Sequence, residues 1–362
     1  GGTGATAPPR AGAETDAVVD AVADADAGPQ IVDAGFIEPP PTIIEFDGGT
    51  GVILIGSDTT STFATNVAVD ANDNVFVAGN TGGVAPFAGD DGFVAKFTST
   101  GRKLWETKIA SASPFASANP TDTVRGLYVD PAGEPHVTGY TIGRFGVDPV
   151  APGSSFETFT AKFNGETGDR RWVNQLAGLA GQSYGMAIVG DGAGGVIVGG
   201  AEGSPLDMRL SLLSSAGQTS FSGHFGSQGI DIITSVIRHP TTGALYVGGA
   251  TNGVSINGGA AKTNAATLDA IVLEIKPDGA IGWVVQAGEP GGQSFVNSLA
   301  LDPTGAYLVV AGALYEPSAM ASRAFVSVLE TAAGAGLWIT KAGAGGSGSL
   351  GETVNSVVVH SS

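Results

Sequence analysis

An all-β fold assembled from one repeated four-stranded unit is predicted by three observations. A glycine is followed four residues later by a bulky apolar residue in six places: Gly51/Ile55, Gly101/Trp105, Gly168/Trp172, Gly217/Phe221, Gly279/Trp283 and Gly334/Trp338, pairs that use all four tryptophans. They recur at intervals of roughly 50 to 65 residues, a period that belongs to propellers and solenoids. Between them lie short runs rich in Val, Ile and Phe, bounded by Gly, Pro, Asp or Asn, and helical periodicity is nowhere sustained.

Each period reads as four strands, A to D. In the clearest unit A is Asn66–Asp70, B is Asn74–Gly79, C is Gly92–Phe97, and D is Leu104–Ile109 after a turn through Gly101. A and B recur as Gly126–Asp130 with Pro135–Gly139, Met186–Gly190 with Gly195–Gly199, Ser235–His239 with Leu245–Gly248, and Ser298–Asp302 with Tyr307–Gly312. C recurs as Thr158–Phe163, Met208–Leu213, Ala270–Ile275 and Ala324–Leu329. Four antiparallel strands joined by tight turns make one blade of a β-propeller, whose radial closure protects the edges that a flat sheet would expose. The bulky residue early in D is expected to pack between neighbouring blades, where cutting Trp to Ala costs about 3–5 kcal/mol.

The two ends supply halves of a further blade. Asn355–His360 is an A strand with nothing after it, whereas Thr42–Phe46 and Val52–Ile55 are a C and a D with no A before them; Ile31–Gly35 resembles a B strand. Six blades are therefore expected, the last a composite closed by pairing the strand ending near His360 with the one containing Thr42–Phe46. Residues 1–30 are Gly-, Ala- and Asp-rich, with too little apolar surface to offset ordering entropy, and read as an acidic linker or arm ahead of a single propeller domain over 31–362.

Net charge is −18, which argues against nucleic acid or an anionic membrane surface as partner. Seven acidic residues against Arg10 alone precede residue 41. There is no cysteine, hence no disulfide, thiolate nucleophile or cysteine-ligated metal, and no apolar run long enough to span a membrane. The start Gly-Gly-Thr-Gly-Ala-Thr-Ala-Pro-Pro reads as the processed end of an exported protein, and a lipid-anchored cysteine directly before Gly1 would leave the same start.

No catalytic, cofactor-binding or metal-ligating residue is assigned. His136, His224, His239 and His360 are not at metal-ligand spacing. His239 and His360 take the repeat position of Asp70, Asp130 and Asp302 and read as turn residues, while His136 lies in a B strand. Asp70-Ala-Asn-Asp-Asn74 lacks the glycine and distal glutamate of a calcium loop and reads as an Asx turn. Asp90-Asp91 opens a C strand. The B-to-C and D-to-A connections are long and irregular and emerge on one face, where loops carried by a rigid scaffold bind ligands; the exposed candidates there are Phe115, Tyr140, Arg144, Phe145, Phe156 and Tyr315.

The runs Asn66–Asp70, Asn74–Gly79, Gly92–Phe97 and Gly101 to Trp105 resemble the SBBP-type bacterial β-propeller repeats, whose pattern is an IAVD strand, a DGNVYVTG strand, a DAFVAKF strand and a DGxxxW strand. Nearly all of 42–360 follows it, with His239 and Gly190 at the usual Asp position and Phe221 and Ile55 at the usual Trp. The family is named for seven blades, against the six counted here. The resemblance implies an exported or cell-surface bacterial protein and adds no chemistry. Asn164–Trp172 is similar to the TGxxxW turn of quinoprotein-type propellers, whose quinone-binding members need a paired-cysteine or metal-ligating cluster that the sequence does not supply. The function expected is non-enzymatic association with a protein partner or another copy, in a surface or multi-subunit assembly, without cofactor. The competing expectation is a carbohydrate-binding or carbohydrate-active propeller at the channel mouth, which needs two convergent carboxylates roughly 5–10 Å apart flanked by aromatics.

Overall fold

The computed structural model describes residues 43–45, 51–53, 61–82, 90–112, 120–146, 155–176, 181–253, 267–288, 291–317, 321–342 and 353–359. All lie in the unit Pro41–Ser362. Every regular element among them is a strand, and no helix is long and apolar enough to cross a membrane.

A short sheet pairs β1 (Ile43–Glu45) with β2 (Gly51–Ile53). Five four-stranded antiparallel sheets follow. The first blade is β3 (Ser61–Val69), β4 (Val75–Gly82), β5 (Asp91–Phe97) and β6 (Lys103–Ile109); the second is β7 (Asp122–Val129), β8 (Pro135–Thr141), β9 (Glu157–Phe163) and β10 (Arg170–Leu176). The third is β11 (Ser183–Gly190), β12 (Val196–Glu202), β13 (Asp207–Leu213) and β14 (Thr219–Phe225); the fourth is β15 (Asp231–Arg238), β16 (Leu245–Thr251), β17 (Asp269–Ile275) and β18 (Ile281–Ala287). The fifth is β19 (Gln293–Leu301), β20 (Tyr307–Glu316), β21 (Ala321–Glu330) and β22 (Gly336–Ala342). Each sheet runs in the order A-B-C-D, as the repeat pattern predicts. The middle strands β9, β12 and β16 are buried along their whole length because neighbouring blades cover both faces, and β5 of the first blade is buried as fully. The apolar cores accordingly straddle blades: Val94 packs with Val124 and Val137, and Leu210 with Ile233, Val247 and Leu273.

The A strands depart from simple pairing in the same way in every blade. Their register to B slips at Ala64/Asn66, Val124/Gly126, Gly185/Ala187, Ile233/Ser235 and Val296/Ser298. Such a bulge bends the strand and turns one residue out of the ladder. Opposite each stands a B-strand glycine, Gly79, Gly139, Gly200, Gly249 or Gly312, where an added Cβ would lie 1.7–2.0 Å from an A-strand carbonyl oxygen. The recurrent glycine of the B motif is thus a steric requirement of the bulge.

The A–B turns are fixed by the motif aspartate. Asp70 Oδ1 accepts the amides of Asn72 and Asn74, Asp130 and Asp191 make the same pattern of bonds, and Asp302 accepts the amide of Thr304 at Oδ2 and that of Tyr307 at Oδ1. Asp191, not Gly190, therefore occupies the motif position in the third blade: the segment Met186–Gly190 begins at the bulge residue, whereas Asn66, Gly126, Ser235 and Ser298 each stand one residue after it. His239 substitutes for the carboxylate by accepting the amides of Thr241 and Thr242 at Nδ1, as a turn residue should. His360 lies outside the described residues.

Three tryptophans hold blade to blade. Trp105, Trp172 and Trp283 donate Nε1–H to the carbonyls of Gly165, Ser215 and Thr331, each in the C–D turn of the next blade, at 3.1, 3.0 and 2.9 Å. Their rings lie against Gly168, Gly217 and Gly334, where an added Cβ would be 2.8, 2.5 and 2.6 Å from an indole carbon. These glycines also have φ of +77°, +76° and +66°. Both the indole packed against it and a left-handed backbone therefore demand glycine at this turn position.

The expected pairing of 355–360 with 42–46 is not seen among the described residues. β1 pairs with β2, and residues 353–359 form no ladder. The reason is topological: in every four-stranded blade A pairs with B, leaving C two strands away, and the candidate B segment, Ile31–Gly35, lies outside the described residues. Residues 353–359 instead repeat the contacts that one inner strand makes with the next. Thr65 and Thr234 donate to the carbonyls of Val124 and Val296 in the following blade, and Asn297 donates to that of Val354 at 3.0 Å. Likewise the Leu299 amide donates to Ser235 Oγ, and the Val357 amide to Ser298 Oγ, both at 3.1 Å.

Candidate functional site: the axial cavity and its mouth

The inner segments 64–67, 125–127, 186–188, 234–236, 297–298 and 355–356 meet around one cavity of about 880 Å³. Its polar side chains are largely committed to the scaffold. Thr65, Asn66, Thr234 and Asn297 reach sideways to carbonyls of the adjoining inner segment, and Ser235 and Ser298 accept amides from it. Arg125 and Met186, at the same bulge position in the second and third blades, interrupt this pattern.

Above Arg125, at the end where A strands begin and B strands finish, three rings converge. Tyr140 is edge-on to Phe156 at 5.2 Å and to Tyr184 at 5.1 Å, and Phe156 is 5.5 Å from Tyr184. The Arg125 guanidinium lies 5.8 Å from the centre of the Tyr140 ring. All three rings are half-buried, and Arg125 is exposed. Burial, with Tyr140 nearby, holds the Tyr184 phenol above its ordinary value.

Of the loop candidates, Tyr140 and Phe156 are thus brought together. Phe145 is not exposed as expected: it is 8% accessible and packs 4.9 Å from Phe159 in the core, because its connection folds back between the first and second blades. Arg144 is half-buried and makes an isolated bridge with Ala112. Tyr315 stands apart on the fifth blade, and Phe115 lies outside the described residues. Tyr184, Arg125 and Met186 carry no signal in the linear pattern, since only the bulge makes their positions distinctive.

The remaining ionisable groups tie the scaffold together. Lys96 reaches Asp70 at 3.8 Å and donates to the Gly165 carbonyl of the next blade; Lys162 lies 2.9 Å from Asp130 and 2.8 Å from Glu134. Burial pulls the Lys162 ammonium down, but its bonds to Glu134 and Asp130 outweigh this and hold it above the ordinary lysine value. Despite burial, hydrogen bonds and the facing lysines keep Asp70 and Asp130 below the usual carboxylate value. The lysine of the Ala-Lys-Phe run, repeated at Lys96 and Lys162, was the sequence signal for these pairs. Asp91 opens β5, is buried, and pairs with Lys108 at 2.7 Å. Across the blade boundary burial pushes Asp122 up, against bonds from Thr141 and Ser111. His224 faces Glu202 at 3.3 Å, beside Arg209. His136 is buried between Tyr128 and Trp172, with both rings 5.8 Å away, and burial lowers its pKa to about 4. Among the described residues no group of three or more His, Asp or Glu is placed to hold a metal ion.

Repeated four-stranded sheets around a shared cavity define a β-propeller repeat protein. Residues 52–88 match the SBBP beta-propeller repeat, the repeat that the sequence pattern resembles. No curated protein matches the chain. Among solved structures it is similar to a quinohemoprotein alcohol dehydrogenase from Comamonas testosteroni, at 11% identity and TM-score 0.44 over 76% of this chain and 52% of that one. BamB from Moraxella catarrhalis gives 14% identity and TM-score 0.36 over 77% and 74%. The Cps50 (Swd1) beta-propeller domain from Myceliophteria thermophila gives 12% and 0.39 over 83% and 93%. The chain spans about half the length of the dehydrogenase, and likenesses this distant bear on fold alone.

Proposed function

We propose that this chain is a non-enzymatic, exported or cell-surface bacterial propeller that mediates protein association. The observation that carries the reading is the gathering of Tyr140, Phe156, Tyr184 and Arg125 at one mouth of the axial cavity. Tyr and Arg are the residue types that dominate protein–protein binding energy, and here they ride on rigid strands while other ionisable groups brace the blades. A photo-crosslinking residue at position 140, in the cells that make the protein, is expected to give one discrete adduct. The same residue at Thr219, exposed on the outer strand of the third blade, serves as control. Adducts that are absent, or identical at both positions, would count against an interface at this mouth. The same rings also suit a sugar, so carbohydrate binding at the mouth is the second reading.

We further propose six blades, the last taking 353–359 as its inner strand and β1 and β2 as outer ones. Support comes from the repeated bonds to Val354 and Val357 and from one face of β3. Val67 is 69% exposed, whereas its counterparts Ile188, Val236 and Leu299 are at most 9% exposed beneath the preceding blade and Leu127 is half-buried. Val67→Asp is expected to lower the thermal midpoint clearly; an unchanged midpoint would mean that no blade covers this face.

A further inference from the structure

We propose that the axial cavity is a binding site for a small organic carboxylate, its anion held by Arg125 and its apolar body resting on Leu127, Met186 and Ile188. The inference goes beyond the association proposed above and shares Arg125 with it; small-molecule calorimetry reads it separately from the crosslink at position 140.

The starting point is the bulge position. In the first, fourth and fifth blades it holds Thr65, Thr234 and Asn297, each of which donates to a carbonyl of the next inner segment. In the second and third blades it holds Arg125 and Met186, and among the described residues neither makes that bond. Two adjacent blades therefore forgo a stitch used elsewhere in the ring. Departures from a fold's own regularity of this kind mark functional positions.

The chemistry of the lining selects the ligand. With Thr65, Asn66, Thr234, Ser235, Asn297 and Ser298 engaged between blades, the guanidinium is the one charged donor lining the cavity among the described residues, in a planar fork that matches a carboxylate. Among the described residues no carboxylate lines the cavity, and none lies within ion-pair distance of Arg125. The remaining wall near it is apolar, and the methionine adapts to irregular shapes. A volume of about 880 Å³ lies in the range of small-molecule sites, which pair apolar walls with a few placed polar groups. One cation in a chain of net charge −18 suits a single negative charge. A phosphate dianion would face the same long-range repulsion doubled, with no second cation to offset it.

The test is titration calorimetry of the full chain with benzoate and with D-glucuronate, each against its neutral counterpart, benzamide and D-glucose. Saturable binding of at least one carboxylate is expected, roughly tenfold or more tighter than its counterpart, as for a charge-assisted pair. Arg125→Gln should abolish that preference without moving the thermal midpoint, and Arg125→Lys should restore part of it. Tighter benzoate identifies an aromatic acid as the ligand class, and tighter glucuronate a sugar acid. No saturable binding of either acid up to about 10 mM, or undiminished binding to the Arg125→Gln protein, would overturn the proposal.

Discussion

The boundary between the third and fourth blades differs from those that carry tryptophan. At the first-to-second, second-to-third and fourth-to-fifth boundaries an indole covers the next blade's turn glycine and bonds to a turn carbonyl, and Gly168, Gly217 and Gly334 are buried as a result. At the third-to-fourth boundary the residue is Phe221. It is 49% exposed, and its ring folds back over its own strand, so that an added Cβ at Gly223 would lie 2.6 Å from it. Gly279, the turn glycine it would cover, has open space around its Cβ position, and the turn 276–280 is exposed. Yet the two blades still share the aliphatic cluster of Leu210, Ile233, Val247 and Leu273. The difference teaches that inner packing brings blades together and that the indole adds an outer clasp. Among the boundaries between the five described blades, the one without its clasp opens most readily, since local stability follows local burial and bonding.

The largest effect should come from removing a clasp. Trp172→Ala is expected to cost about 3–5 kcal/mol, because it empties the ring's place over Gly217, breaks the bond to Ser215 and strips cover from His136. Phe221→Ala, at an exposed site, should cost well under half as much. Urea unfolding of both variants decides the matter: similar losses would show that exposure misjudges Phe221 and that the boundaries are equivalent.

A smaller effect distinguishes the boundaries by pH. His136 titrates at about 4 in the folded chain, against about 6.5 when unfolded. Between these values the unfolded chain binds the extra proton, so stability is full above pH 6.5 and falls as the pH drops toward 4. The loss is about 3 kcal/mol. Because His136 abuts Trp172, this acid sensitivity belongs to the clasped second-to-third boundary. His136→Gln should flatten the slope between pH 4 and 6.5 relative to the parent chain, and a parallel slope in the two proteins would assign it to the carboxylates instead.

The clasp was legible in the sequence, whereas the cavity was not. The turn glycine is a local requirement of a left-handed backbone, and because a blade both presents a turn glycine and supplies a ring to the next blade, their pairing four residues apart survives in linear spacing. So does the Asx turn, which needs only Asp70 and the amides just beyond it. Arg125, Met186 and Tyr184 escaped because their roles depend on a bulge and on the next blade, and neither leaves a period in the chain. Gly190 reads as the motif position only when the segment is started at the bulge residue Met186, and the A–B register that places Asp191 there is not visible in the linear pattern. Phe145 between Gly143 and Gly146 reads as an exposed loop tip, and only tertiary packing against Phe159 shows that it is core.

The smallest and most discriminating effect is a gain. Phe221→Trp places an indole where the repeat expects one, opposite a turn whose glycine has φ of +86° and room for a ring. The turn's second residue is Pro277, and its carbonyl corresponds to those of Gly165, Ser215 and Thr331 that accept the other indoles. Covering the exposed turn and forming one net hydrogen bond should add about 1 kcal/mol, part of the apolar gain being offset by ordering the larger side chain. The thermal midpoint should rise by a few degrees or less for a chain of this size, and amide exchange in 276–280 should slow. A midpoint that stays put or falls would mean that the third and fourth blades are spaced too widely for the clasp, so that the boundary differs in geometry and not merely in one side chain.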